Sequence, residues 1–240
     1  MTIFDSPEIL AQSAANKILN LVSTKPGAVI CIASGDTPRL TNKYIVEGAR
    51  NRQIDFSQVQ FISLDEWVGI PATNTGSCYY FLEETIFEPL KISTAHIHFF
   101  NSTASDLAAE CERINQIIIQ LGGIDCLVVG IGMNGHIGFN EPGTSSNLSA
   151  HVIELDPVTQ QVGQKYFSSS TPLKKGITLG LAQFMQSRMA LLLATGTKKA
   201  LIIKKALAEN VSVAIPASLI QEHRNAFVLL DKQAAGLLTG

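Results

Sequence analysis

The chain has 240 residues, 46% of them hydrophobic and 16% charged, and 18 basic against 20 acidic residues give a formal net charge of -2. That balance is globular and excludes a disordered chain. The near-neutral charge excludes a general electrostatic pull toward nucleic acid or an anionic membrane, and no apolar run approaches the ~18 residues of a membrane span. A chain of this length buries enough core to need neither disulfide nor metal staple, and no linker, repeat or low-complexity stretch divides it, so residues 1–240 read as one domain.

Strand-like and helix-like segments alternate along the chain. Met1 to Pro7 carry acid rather than base and lack a signal-peptide pattern. Asp5 or Ser6 can cap a helix that has Pro7 in its first turn and runs to about Val22. Ala28–Ala33 is an apolar run without alternation, the pattern of a strand covered on both faces. A helix is predicted from Pro38 to about Arg52, then a strand Val59–Leu64, a loop, a helix Ser77–Phe87 and a short strand near Ile97. Helix Ser105–Leu121 leads into a second strongly apolar strand, Ile124–Ile131. Later strands are predicted at Val152–Leu155, Gly176–Leu179, Met189–Ala194 and Phe227–Leu230, with helices at Lys198–Glu209 and Ala217–Glu222. This order predicts a three-layer α/β fold, a mainly parallel sheet with helices on both faces. Cys31, Cys78, Cys111 and Cys126 are scattered, with no C-x-x-C pair, and read as buried reduced thiols in a cytoplasmic protein.

In such folds ligands bind beyond the carboxyl ends of the strands, and three loops there carry unusual chemistry. Ser34-Gly35-Asp36-Thr37-Pro38 joins a strand to a helix, with Thr37 able to cap and Pro38 to open it. Such a turn aims free N–H groups and a positive helix end at one spot, which suits a phosphate, although a plain turn has the same residues and Asp36 counts against an anion. It lacks the lysine and spacing of a Walker A loop. Asp65-Glu66 places adjacent acids at a strand end; since neighbouring side chains on extended chain face opposite ways, one can face a cleft as a general base while the scaffold holds the other, and a solvated turn or helix cap fits equally. The stretch Gly130–Gly143 has five glycines in 14 residues, and among them stand His136, Asn140 and Glu141. A histidine with a carboxylate five residues on, in a loop that lets backbone approach a ligand, is the pattern of an oriented acid–base pair. The spacing is not that of a dinucleotide loop, and His136 has no spaced histidine partner for a metal.

Taken together, S-G-D-T-P at 34–38, L-D-E-W-V-G at 64–69, G-M-N-G-H-I-G-F-N-E-P-G at 132–143, G-I-T-L-G at 176–180 and T-G-T-K-K-A at 195–200 resemble the amino-sugar-phosphate isomerase/deaminase family. The resemblance covers essentially the whole chain in order, and the 132–143 motif is highly specific, since the related 6-phosphogluconolactonases lack its F-N-E-P continuation. It implies a Rossmann-like fold of the sugar-phosphate isomerase/deaminase type, and an aldose–ketose isomerisation coupled to loss of ammonia, with no cofactor and no metal. On this resemblance His136 carries the ring-opening proton and is oriented by Glu141, and Asp65 moves a proton from C2 to C1. Asn134, where some relatives have aspartate, cannot ionise and leaves Glu141 alone to stabilise a protonated His136. Ser34, Gly35, Asp36, Thr37 and Gly135 are assigned to the substrate, with Lys199 and, as the second basic ligand, Lys165 on its phosphate; Asp36 replaces the usual small residue of that loop. The implied partner is a phosphorylated amino sugar, with no nucleic acid or membrane, and the protein is expected as a monomer or small homo-oligomer. Trp67, Gly76-Ser77-Cys78, Ala28–Cys31 and Gly176–Leu181 are closer to the galactosamine-6-phosphate branch than to the glucosamine-6-phosphate one. A phosphosugar lactonase and a non-catalytic sugar-phosphate sensor are the alternatives on the same fold. The first needs no carbon base at position 65. The second lacks both a basic patch and room for a DNA-binding domain in this chain.

Overall fold

The computed structural model describes residues 1–238. The chain opens with a strand that its sequence does not announce, β1 (Thr2–Phe4), followed by α1 (Pro7–Thr24). Ser6 caps α1 through a bond from the Ile9 N–H at 3.4 Å. β2 (Val29–Ile32) and α2 (Asp36–Asn51) come next, then β3 (Gln60–Ile62) and β4 (Asp65–Trp67). The predicted 77–87 helix is α3 (Cys78–Leu82), which widens into a π-helical turn before α4 (Glu88–Leu90). β5 (Ile97–His98), α5 (Leu107–Gln120) and β6 (Cys126–Val129) follow, then β7 (His151–Glu154) and α6 (Pro157–Gly163). The chain ends with β8 (Lys175–Thr178), α7 (Leu181–Gln186), β9 (Ala190–Ala194), α8 (Ala200–Ala208) and β10 (Ala226–Asp231). The predicted helix at 217–222 is a 3-10 segment, Pro216–Glu222.

Seven strands form a parallel sheet in the order β1-β10-β9-β6-β2-β3-β5. The predicted three-layer α/β architecture is thus the observed one. Its central strands are apolar at every position because both faces are covered: β6 contributes Cys126, Leu127, Val128 and Val129, all fully buried. Successive residues point to opposite faces, so Leu127 and Val129 pack with α5 and α8, while Val128 packs with α1 and α2. Each such aliphatic side chain contributes about 1.5–3 kcal/mol by leaving water. No helix among the described residues is long and apolar enough to cross a membrane.

The strand order reverses between β2 and β6. From β2 the chain proceeds to β3 and β5 on one side, and β6, β9 and β10 extend the sheet on the other. That reversal opens a crevice at the carboxyl ends of β2 and β6, the place where ligands bind in open α/β sheets. A second, three-stranded antiparallel sheet, β4-β8-β7, stands beside it. This sheet is a departure from the sequence reading, which treated β7 and β8 as part of one mainly parallel sheet and residues 65–67 as loop. Its register pairs Asp65 with Thr178 and Trp67 with Gly176.

Candidate active site

The crevice is a cleft of about 190 Å³. Among its walls are the loop after β2, the start of β4, the glycine-rich loop after β6, α6 with the turn that follows it, and Lys199.

The loop after β2 forms a helix N-terminus without a side-chain cap. The structure corrects the sequence reading here: α2 starts at Asp36 and its cap is Gly35, not Thr37, which lies inside the first turn. Gly35 has φ +120, a conformation that a residue with a Cβ rarely adopts, and such a Cβ would lie 3.2 Å from the Tyr166 hydroxyl. The uncapped N–H groups and the helix dipole therefore face the cleft with no side-chain acceptor on them among the described residues. Asp36 turns outward, three-quarters exposed, and forms an ion pair with Lys165. Thr37 Oγ1 lies 3.4 Å from Thr195 Oγ1, so the turn carrying Lys199 sits alongside. The Lys199 ammonium donates to the Ile131 carbonyl at 2.5 Å. Burial, and then the charge of Lys165, push its pKa down to about 8. A partly desolvated ammonium with one carbonyl partner has donors to spare for an anion.

The two adjacent acids divide as their opposite orientations require. Glu66 is 2% exposed and accepts from the Ser77 hydroxyl at 2.6 Å and from the N–H groups of Trp67, Cys78 and Tyr79 at 2.9–3.0 Å. It is a structural anchor that ties β4 to the start of α3. Asp65 lines the cleft at 8% exposure. Burial first, and then the neighbouring Glu66 charge, raise its pKa to about 7, against a bond from Cys78 that lowers it. A carboxylate poised near neutrality is at once a competent base and, once protonated, a competent acid. Cys78 fills the space between this acid and the phosphate-suited turn, its Sγ 3.1 Å from Ser34 Oγ.

In the glycine-rich loop the His136 ring lies flat against Gly132, where a Cβ would stand 2.4 Å from ring atoms. Its Nδ1 faces Thr159 Oγ1 at 3.1 Å and Glu141 Oε2 at 3.4 Å. Glu141 in turn accepts from Asn134 Nδ2 at 2.8 Å and from the Asp156 N–H at 3.2 Å. Burial alone would raise its pKa; bonds and charge from His136, with bonds from Thr159 and Asn134, outweigh that and hold it below the usual carboxylate range. Glu141 therefore stays ionised beside the imidazole and fixes its orientation. Asn134 and Glu141 stand behind His136 rather than on the cleft wall. Gly135 also faces away from the cleft, against Ile202 and Ile215, with its carbonyl accepting from the Ala217 N–H at 2.9 Å. Asn140 is buried and ties the loop to the Ile137 and Leu179 carbonyls at 2.9 and 2.8 Å.

The structure adds residues that the sequence reading passed over: Thr159, Tyr166 and Cys78, together with an apolar wall of Phe139, Val158 and Val162. Thr159, Val158 and Val162 sit on α6, whose start was legible in principle, since Asp156 caps it and Pro157 is its first residue. Among the described residues, no three of His, Cys, Asp and Glu gather in a way that could hold a metal ion.

The fold and cleft together define an α/β protein that can seat a small anion at one end and present acid–base groups at the other. Comparison with known proteins places it more narrowly. The family model of glucosamine-6-phosphate isomerases/6-phosphogluconolactonase matches residues 5–229, and the chain belongs to that family. It is 39% identical to the glucosamine-6-phosphate deaminase of Geobacillus sp. (strain WCH70), covering 96% of this chain and 92% of that one. It is 40% identical to the putative deaminase AgaI of Escherichia coli (strain K12), covering 92% and 88%. A solved monomeric glucosamine-6-phosphate deaminase superposes with a TM-score of 0.95 at 34% identity, covering 98% of both chains. The 6-phosphogluconolactonase of Trypanosoma brucei superposes at 0.78 with 22% identity, a likeness of fold alone.

Proposed function

We propose that the protein is an amino-sugar-6-phosphate isomerase/deaminase, converting galactosamine-6-phosphate or glucosamine-6-phosphate to the 6-phospho-ketose and ammonia. The observation that carries this is Asp65: a buried carboxylate on the cleft wall, with a pKa near 7, in the same cleft as an uncapped helix N-terminus and the His136–Glu141 pair. Lactone hydrolysis requires no carbon base at that position. The relatives named as deaminases at 39% identity and at TM-score 0.95 support the same reading.

The chemistry follows from the substrate. An amino sugar rests mainly as a closed ring, and its C2 proton becomes labile only when C1 is a free carbonyl. His136, held through Nδ1 by Glu141 and Thr159, transfers the ring-opening proton. Asp65 then removes the proton from C2 and returns it to C1. The C2 nitrogen becomes an imine, and water hydrolyses it to the ketone with release of ammonia. The first-turn N–H groups of α2, the Ser34 and Thr37 hydroxyls, and Lys199 with Lys165 take the phosphate. An incoming phosphate supplies Lys165 with a stronger partner than the exposed Asp36, because a phosphate carries about -1.5 to -2 charges against one.

The likeness of Trp67 and Gly76-Ser77-Cys78 to the galactosamine branch supports galactosamine-6-phosphate as the better substrate. The whole chain acts as a single catalytic unit in this proposal, monomeric like the solved relative. Four free, buried cysteines support a cytoplasmic location. The test is ammonia release from both epimers, compared by kcat/KM. Release from neither, or hydrolysis of 6-phosphogluconolactone instead, would refute the proposal.

A further inference from the structure

We infer that Asp231 is a positioning residue for Lys199: its buried carboxylate holds the turn after β9 by the Gly196 N–H, and so sets where the phosphate lysine stands. The inference rests on the proposed role of Lys199 at the phosphate. It names a residue at the end of β10 that lies outside the cleft wall and that the mechanism does not use.

β9 and β10 run side by side in parallel, with Ala194 beside Leu230. Asp231 therefore stands next to the point where the chain leaves β9. It is 3% exposed. The hydrogen-bond partners of its carboxylate among the described residues are backbone N–H groups: that of Gly196, at 3.1 and 3.0 Å from the two oxygens, and that of Ala234 at 2.7 Å. A carboxylate is costly to bury, and N–H donors offset that cost only while they stay in place. Carboxylate and turn therefore fix each other.

The link to Lys199 runs through a single residue. Asp231 holds the N–H of Gly196, and the Gly196 carbonyl accepts from the Lys199 N–H at 3.1 Å. Gly196 has φ +84, and a Cβ placed there would meet nothing within 4 Å. Backbone conformation, not space, is what asks for glycine at this position. The turn so held brings Lys199 to the cleft, where its ammonium donates to the Ile131 carbonyl at 2.5 Å. Thr195, one residue before the glycine, has its hydroxyl 3.4 Å from that of Thr37 in the first turn of α2. A displaced Gly196 therefore moves the lysine and loosens the contact between the two halves of the anion site.

The experiment is calorimetric binding of inorganic phosphate, with steady-state ammonia release and thermal unfolding alongside. The proteins compared are wild type, Asp231→Ala, Asp231→Asn, Gly196→Ala, Lys199→Ala and the Asp231→Ala/Lys199→Ala double variant. At metal centres, removing a group that holds a ligand from behind costs about 10–100-fold in affinity. A lysine–phosphate contact is less directional, so Asp231→Ala should weaken phosphate by the lower figure, about tenfold. KM for the phosphorylated substrate should rise in step, with kcat changed less. Asp231→Asn keeps the shape and one acceptor oxygen and should fall between. Gly196→Ala strains the turn without touching the carboxylate and should reproduce the loss, which keeps the link testable where removal of Asp231 prevents folding. In the double variant Asp231→Ala should add nothing to the loss from Lys199→Ala. A lowered melting temperature with phosphate binding intact would reduce Asp231 to closing the turn at Ala234 and overturn the inference, as would additive losses in the double variant. Wild-type phosphate binding by Lys199→Ala would remove the lysine assignment and the inference with it. A wild type that binds phosphate but releases no ammonia would refute the deaminase reading alone.

Discussion

Gly132→Ala isolates the orientation of His136 from everything else in the cleft. A Cβ at position 132 would stand 2.4 Å from Cε1 and Nε2 of the His136 ring and 2.5 Å from Cδ2. Carbon atoms in contact prefer about 3.5–4.0 Å, so the ring must withdraw by about 1 Å or more. Its two anchors have no such slack. Thr159 Oγ1 is 3.1 Å and Glu141 Oε2 is 3.4 Å from Nδ1, and a displacement of that size takes both beyond hydrogen-bond range. A 1 Å misplacement of a reacting group costs about 10²-fold in rate, or about 2.7 kcal/mol of barrier. Stability should suffer less, because the obstacle is a side chain that can move; an overpacking cost of about 1–3 kcal/mol lowers the melting temperature of a chain this size by only several degrees. The assay is steady-state ammonia release on the closed-ring substrate, alongside an analogue that cannot close its ring, with thermal unfolding as the control. The variant should lose about a hundredfold on the closed ring and much less on the open-chain analogue. Near-wild-type rates on the closed ring, or equal losses on both, would refute the placement of His136 in ring opening.

Other perturbations give distinct readouts. Lys199→Ala should raise KM strongly, erase the advantage of the phosphorylated substrate over the free amino sugar, and weaken inorganic phosphate binding in calorimetry. In the wild type that binding should decline as pH rises through about 8, where Lys199 loses its proton, and the variant should lack this step. Thr159→Val removes one of the two Nδ1 partners of His136 and should lower kcat by less than Gly132→Ala does, with KM nearly unchanged. Asp65 carries a stability cost of the opposite sign to a salt-bridged acid: its folded pKa is raised from 3.8 to about 7, so the fold loses stability as pH rises between those values. Asp65→Asn should therefore be more stable than wild type to denaturant unfolding at pH ~8, by up to about 4 kcal/mol at about 1.4 kcal/mol per pH unit, and equal it near pH ~4.

The sheet was legible in the chain where burial writes itself into composition. Ala28–Ala33 and, past Asp125, Cys126–Val129 are apolar at every position because both faces are covered, and the loops that follow them line the observed cleft. Alternation on extended chain allowed one of Asp65 and Glu66 to face a cleft while the scaffold held the other, but a solvated turn fitted as well, and only the family resemblance singled out Asp65. The antiparallel β4-β8-β7 sheet was not legible, since Asp65-Glu66-Trp67 has no strand composition and pairs only with residues more than a hundred positions away. β1 is three exposed or half-buried residues fixed by pairing with β10. Thr37 was misread as the cap because the sequence favours a hydroxyl there, whereas the turn needs the positive φ of Gly35. Thr159 and Tyr166 come to the site through the fold-over of residues 157–166, a tertiary event with no local signature beyond the Asp156-Pro157 helix start.

The proposed reaction stands on one proton moved from C2 to C1 by Asp65. Turnover of the amino-sugar phosphate in deuterium oxide by wild type and Asp65→Asn, with the C1 position of the ketose product examined by mass spectrometry and NMR, reads that proton directly. Wild type should place solvent deuterium at C1 and release ammonia. Asp65→Asn should bind inorganic phosphate as wild type does while kcat falls by about 10²–10⁴-fold. Near-normal turnover by the folded variant, or ammonia release from wild type without solvent exchange at C1 or C2, would contradict the assignment.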